Sequence, residues 1–155
     1  MSCAILLADS LESLDIDLYI RKSPDAVREW WTNLPDDYTA IDPLEEPFRI
    51  VTLRKFPNGR LLLTYWRDDD GSVHERHEVL LILPDGRWTV DMTDSPHFHF
   101  HDEFRVTQAQ GGTNLHIHQT YIPRDPSYAT LIPELKKEIA QMFKAAAEIC
   151  ERDAP

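Results

Sequence analysis

Residues 126–155 read PSYATLIPELKKEIAQMFKAAAEICERDAP, and this segment decides the fold. Tyr128, Leu131, Ile132, Leu135, Ile139, Met142, Phe143, Ala146, Ile149 and Cys150 recur at three- and four-residue steps, with Glu134, Lys136, Lys137, Lys144 and Glu151 between them. That spacing predicts an amphipathic helix. Each large apolar side chain is worth roughly 1.5–3 kcal/mol when buried, so the stripe must lie against another element. Pro133 leaves two starting points open, one near Ser127 and one after a break at Ile132. Strand-like segments precede it, and the simplest assembly is a curved antiparallel sheet gripping one long helix.

Working outward, residues 15–22 (DIDLYIRK) alternate Ile16, Leu18 and Ile20 against Asp17, Tyr19 and Arg21, a strand with one buried face. Ser23-Pro24-Asp25 then supplies an N-cap, a proline for the first helical position and an acid for the first turn. The helix carries Val27, Trp30, Trp31 and Leu34, ends at Pro35, and is followed at Asp36-Asp37-Tyr38 by a second short helix or a loop. Adjacent tryptophans point in different directions, so one is expected under the sheet and the other at a cavity mouth or a partner.

From Phe48 the period becomes two. Turn signals at Pro57-Asn58-Gly59, Asp68-Asp69-Asp70-Gly71, Pro84-Asp85-Gly86 and Gly111-Gly112 separate strands at 48–56, 60–67, 73–83, 87–93, 97–108 and 113–123. Counting the first strand, the chain is α+β: a seven-stranded curved antiparallel sheet gripping a long C-terminal helix, with two short helices between the first two strands.

Length and charge narrow the function. A chain of 155 residues suits a single domain, 1–155, able to bury roughly 68–70% of its unfolded surface. Acidic side chains number 27 against 16 basic, a net charge of -11. That sign opposes nucleic acid and anionic lipid surfaces. Cys3 and Cys150 stand at opposite ends without metal-ligand spacing, which fits a reducing cytoplasm. The apolar run at 3–8 is too short for a membrane span and lacks the basic flank of a signal peptide.

The element order, SPDAVREWW near the start and the amphipathic end together resemble the START and polyketide-cyclase superfamily, whose members share a helix-grip fold. The resemblance extends over nearly the whole chain. It implies a cavity between sheet and helix that takes hydrophobic molecules, and in some members cyclase, aromatase, lipid-transfer or receptor function. It carries over no residue set and implies no cofactor.

Pairing the last two strands across residues 109–112 sets Val106, Phe104, Asp102 and Phe100 opposite Leu115, Ile117, Gln119 and Tyr121 on the inner face. Arg105, Glu103 and His101 then face His116, His118 and Thr120 outside. The same logic pairs Leu83, Leu81 and Val79 with Trp88, Val90 and Met92, and so brings His77, Glu75 and Val73 inward. The expected pocket is lined by Trp88, Val90, Met92, Phe100, Phe104, Ile117, Tyr121, Ile139 and Met142, with His77, Glu75, Asp102, Gln119 and Tyr65 as its polar groups. Mostly apolar walls with a few placed donors and acceptors are the character of small-molecule sites. An ordinary filled core would give the same pattern, with Asp102 and Gln119 satisfying each other.

Three functions follow from this reading. The first is binding of a small hydrophobic or aromatic molecule, without metal or cofactor. The second is cyclase or dehydratase chemistry in the same space, with His77, Asp102, Glu75 and Tyr65 as acid/base groups. The third is an interaction or homodimer surface on Val51, Leu53, Leu62 and Trp66, the face opposite Ile50, Phe56, Leu63 and Tyr65. His97, His99, His101, His116 and His118 have spacing suited to zinc, but the register sets this cluster on the convex face, without a pocket for substrate.

Overall fold

The computed structural model describes residues 11–41, 47–67, 70–92 and 94–155. In order the elements are β1 (Glu12–Ile20), α1 (Pro24–Thr32), β2 (Asp37–Ile41), β3 (Pro47–Phe56), β4 (Gly59–Arg67), β5 (Val73–Ile82), β6 (Trp88–Met92), β7 (Phe98–Ala109), β8 (Gly112–Pro123), a 3-10 turn (Pro126–Leu131) and α2 (Ile132–Asp153). The eight strands form one antiparallel sheet in the order β1-β8-β7-β6-β5-β4-β3-β2. The first strand thus pairs with the last, and β2 forms the opposite edge.

The α+β sheet-and-helix plan is as expected, with eight strands rather than seven and one helix rather than two before the meander. Residues 37–41 (DYTAI) are β2 instead of a second helix. Tyr38 and Ala40 lie opposite Ile50 and Phe48, and these inner-face contacts outweigh the turn-forming aspartates before them.

Ser23 caps α1 as its sequence predicts: its hydroxyl accepts from the Ala26 amide. The helix lies over β7 and β8. Both tryptophans serve the interior, contrary to expectation. Trp30 packs edge-on against Tyr38, at 6.2 Å between ring centroids, while Trp31 reaches Phe104 at 5.2 Å and Phe143 at 6.5 Å. The helix is flanked by β2 on one side and α2 on the other, so two directions are both inward.

Helix α2 begins after the break, at Ile132 with Pro133 in its first turn; Asp125 caps the preceding 3-10 turn through the Ser127 amide. Ile132, Ile139, Phe143, Ala147, Ile149 and Cys150 are buried, and the helix packs on β1, α1 and the 3-10 turn. Met142 is 43% exposed and Leu131 46%. Both are removed from the expected stripe, because Ile139, Phe143, Ala147 and Cys150 follow four- and three-residue steps that leave Met142 on the flank.

The β3–β4 hairpin turns on Pro57-Asn58, with Phe56 opposite Gly59. A side chain at Gly59 would meet the Leu80 carbonyl oxygen at 2.1 Å, so the neighbouring backbone dictates glycine there. The register shifts between Thr52 and Arg54. This bulge corrects the expected faces of the hairpin: Val51 lies opposite Leu63, Thr52 opposite Leu62, and Phe48 opposite Trp66. Leu62 and Trp66 therefore face inward with Phe48 and Ile50. Val51, Leu63 and Tyr65 face outward.

Candidate functional site

The inner face of β6, β7 and β8 has the register expected for its last two strands. Phe100, Asp102, Phe104 and Val106 lie opposite Tyr121, Gln119, Ile117 and Leu115. Trp88, Val90 and Met92 on β6 join Phe104, Asp102 and Phe100. Trp88, Val90, Met92, Phe100, Phe104, Ile117, Tyr121 and Ile139 all belong to one buried cluster. Trp88 and Phe104 stack with centroids 5.2 Å apart and planes 4° from parallel. Of the expected lining, Met142 alone lies outside.

Two polar side chains are sealed into this wall. Asp102 is 2% exposed and Gln119 0%. The Gln119 amide nitrogen donates to Asp102 Oδ1 at 2.6 Å, leaving Gln119 Oε1 buried without a partner, as are the Tyr121 hydroxyl and Trp88 Nε1. Unsatisfied buried polar atoms each cost on the order of 1–3 kcal/mol. Burial pushes the Asp102 carboxyl up to about 7, opposing the Gln119 hydrogen bond; Glu78 adds to the rise and Arg76 draws it down. Burial likewise raises the Tyr121 hydroxyl.

His77, Glu75 and Tyr65 do not join them. Strand β5 pairs with β6 one residue away from the expected register: Ile82, Leu80 and Glu78 face Trp88, Val90 and Met92. A five-residue connection, closed by the Leu83 amide on the Arg87 carbonyl at 2.8 Å, sets this parity. His77 and Glu75 are thereby carried to the convex face, as is Tyr65, which lies opposite Glu75. His77 Nδ1 and Asp94 Oδ2 are 2.7 Å apart there, and the His77 amide also donates to that carboxylate. The sheet separates His77 from Asp102.

The same shift brings inward residues that the sequence reading missed. Arg76 and Glu78, with side chains 19% and 13% exposed, form an ion pair at 2.9 Å. The Arg76 guanidinium lies 5.1 Å over Trp66, which stacks on His74 at 5.4 Å. The five-residue connection was the missing signal. Two surface clefts lie elsewhere: one of about 350 Å³ at Asp85, Arg87 and Arg105, and one of about 490 Å³ between β1 and α2 at Tyr19, Lys144 and Arg152.

The convex histidines are tied to carboxylates. His118 Nδ1 lies 2.8 Å from Asp15 Oδ1 and His116 Nδ1 2.8 Å from Asp17 Oδ1, while His99 and His101 share Asp91 at 3.1 and 2.9 Å. Among the described residues, no group of three or more His, Cys, Asp or Glu side chains is arranged to hold a metal ion.

No family model matches the chain, and no curated protein matches it. Solved structures do. The Zhui aromatase/cyclase from Streptomyces sp. R1128 superposes with a TM-score of 0.67 at 13% identity, over 92% of this chain and 95% of that one. The di-domain ARO/CYC BexL from the BE-7585A biosynthetic pathway gives 0.66 at 15% identity, over 93% of this chain and 50% of that one, so this chain spans half of the di-domain protein. A START superfamily protein from Mycobacterium smegmatis gives 0.59 at 11% identity, over 88% and 97%. The fold is the START-like helix-grip fold, a sheet closed over its C-terminal helix.

Proposed function

We propose that this protein binds a small hydrophobic or aromatic molecule on the inner face of the sheet, with Asp102 and Gln119 as its polar contacts. The observation that carries this reading is the Asp102–Gln119 pair, buried in an apolar wall with acceptor capacity unmet. A core built for packing alone gains nothing from a carboxyl group there. In this reading the ligand approaches past Trp66, Arg76 and Glu78, the half-buried residues on the inner face of β4 and β5. The likeness to aromatase/cyclase and START structures supports a container between sheet and helix; at 11–15% identity it concerns the fold alone.

Native mass spectrometry of protein purified without denaturant tests the reading. A noncovalent small-molecule adduct that is lost on denaturation is expected. Protein that carries no adduct and takes up none from a panel of naphthalene-bodied probes would overturn it.

A second reading, acid/base catalysis of cyclase or dehydratase type, is favoured by Asp102, whose carboxyl exchanges its proton near neutrality. His77, Glu75 and Tyr65 lie across the sheet, so this chemistry rests on Asp102. Turnover of the identified ligand by Asp102→Asn at the wild-type rate would end it.

A further inference from the structure

Strand β4 is apolar on both of its faces. Leu62 and Thr64 are buried on the concave side, while Leu61, Leu63 and Tyr65 alternate with them on the convex side and stay half-buried. Their cross-strand neighbours extend this outer surface: Val51 lies opposite Leu63, Val79 opposite Leu61, and Leu81 two residues further along β5. An antiparallel sheet with one face in water ordinarily alternates apolar and polar residues, and a contiguous apolar patch on the outside marks an interaction site. The charges around the patch are sorted by side. Arg49 and Arg54 stand on its β3 border, opposite Tyr65 and Leu61. Glu75 stands on its β5 border, also opposite Tyr65, with Asp91 beyond it on β6, opposite Val79. Arg49 holds Asp37 at 2.7 and 2.6 Å. Among the described residues neither Arg54 nor Glu75 has an ionic partner; the Arg54 guanidinium lies 5.6 Å over the Phe56 ring instead.

We infer that this convex patch is the interface of a homodimer, in which a two-fold axis running along β4 lays β3 of each copy over β5 of the other. That operation stacks Leu61 and Leu63 on their own counterparts and sets the basic border of each chain over the acidic border of its partner. A contact between two identical surfaces requires this kind of self-complementarity. Face-to-face packing of sheets with their strands nearly aligned is an established arrangement. The dimensions suit it. Strands β2 to β6, about 4.8 Å apart with a rise of about 3.4 Å per residue, cover on the order of 700 Å² along the nine residues of β4, close to the roughly 800 Å² per partner of a standard interface. A second copy is also the partner that charge favours at this place: a net charge of -11 repels two chains in general, and the patch offers each of them arginines beside an apolar centre.

Sedimentation velocity of the whole chain over roughly 1 to 100 μM tests the interface, a range that reports micromolar dissociation constants. A concentration-dependent dimer is expected. Leu63→Glu buries a carboxylate at the centre of the patch and should raise the dissociation constant about tenfold or more. Arg54→Glu and Glu75→Arg exchange exposed side chains, and each alone should weaken the dimer by setting like charges on facing borders. Mixed in equal amounts, the two variants should associate about tenfold more tightly than either does with itself, because the mixed pair restores opposite charges. Circular dichroism checks folding, and the charge mixture decides the matter should Leu63→Glu fail to fold. A chain that stays monomeric at the top of this range would overturn the interface. So would a dimer that folded Leu63→Glu leaves intact, or a mixture that associates no more tightly than its components.

Discussion

A carboxyl group taken out of water resists ionisation, and at Asp102 burial outweighs both the Gln119 hydrogen bond and the pull of Arg76. The folded value of Asp102, about 7, lies above the 3.8 of an exposed aspartate, so between these pH values the native state holds a proton that the unfolded chain has released. Stability attributable to this group is therefore greatest below pH 4, declines as pH rises to 7, and is level above it. About three pKa units correspond to roughly 4 kcal/mol. Asp102→Asn removes the ionisation and should be less pH-dependent than wild type. Urea denaturation at pH 5 and pH 8 checks this: the variant should gain on wild type as pH rises, and a constant difference would mean that Asp102 titrates as an exposed group. At this scale the sequence was informative, since Asp102 and Gln119 stand out as the polar pair in an apolar alternation. His77 was misplaced because its position depended on a neighbouring register. His77→Ala should leave binding of 2-naphthalenemethanol within about twofold of wild type, a difference of roughly 0.4 kcal/mol; a larger loss measured by calorimetry would return His77 to the site.

At the scale of elements, legibility followed contrast between faces. Strands β7 and β8 alternate phenylalanines and other apolar residues with histidines and charges, so a one-residue slip would expose one face and bury the other. Their register could be read directly. Residues 79–83 (VLLIL) lack that contrast: both registers bury apolar side chains, and the turn geometry decides. The β3–β4 hairpin was obscured by its bulge, which changes parity without a sequence mark. Helix α2 was legible apart from the flank on which Met142 sits. Phe143, 4% exposed and 6.0 Å from the Phe104 ring centroid, should lose roughly 3–5 kcal/mol on change to alanine. Met142→Ala should cost about 0.5 kcal/mol or less. Comparable losses at both sites in chemical denaturation would contradict this docking of α2. Removing the Ser23 hydroxyl that caps α1 should cost about 1 kcal/mol, visible in the same experiment.

For the whole molecule, pairing of β1 with β8 brings the start of the described sheet beside its end, and α2 closes over that half. Across the sheet, the inner faces of β4 and β5 bury Leu62, Thr64 and Leu80 and leave Trp66, Arg76 and Glu78 half-buried. The inner face thus has two parts: a packed wall holding Asp102 and Gln119, and a half-buried group of Trp66, Arg76 and Glu78. Among the described residues no helix is long and apolar enough to cross a membrane. The surface expected for pairing of two copies is divided by the bulge, which puts Leu62 and Trp66 on the concave side and Val51 on the convex one. The central claim is that the concave side receives a small apolar molecule. Amide chemical-shift mapping with 2-naphthalenemethanol tests it most directly: saturable shifts should centre on Thr64, Arg76, Val90, Asp102 and Gln119, whereas shifts confined to the convex residues, or none at all, would contradict the account.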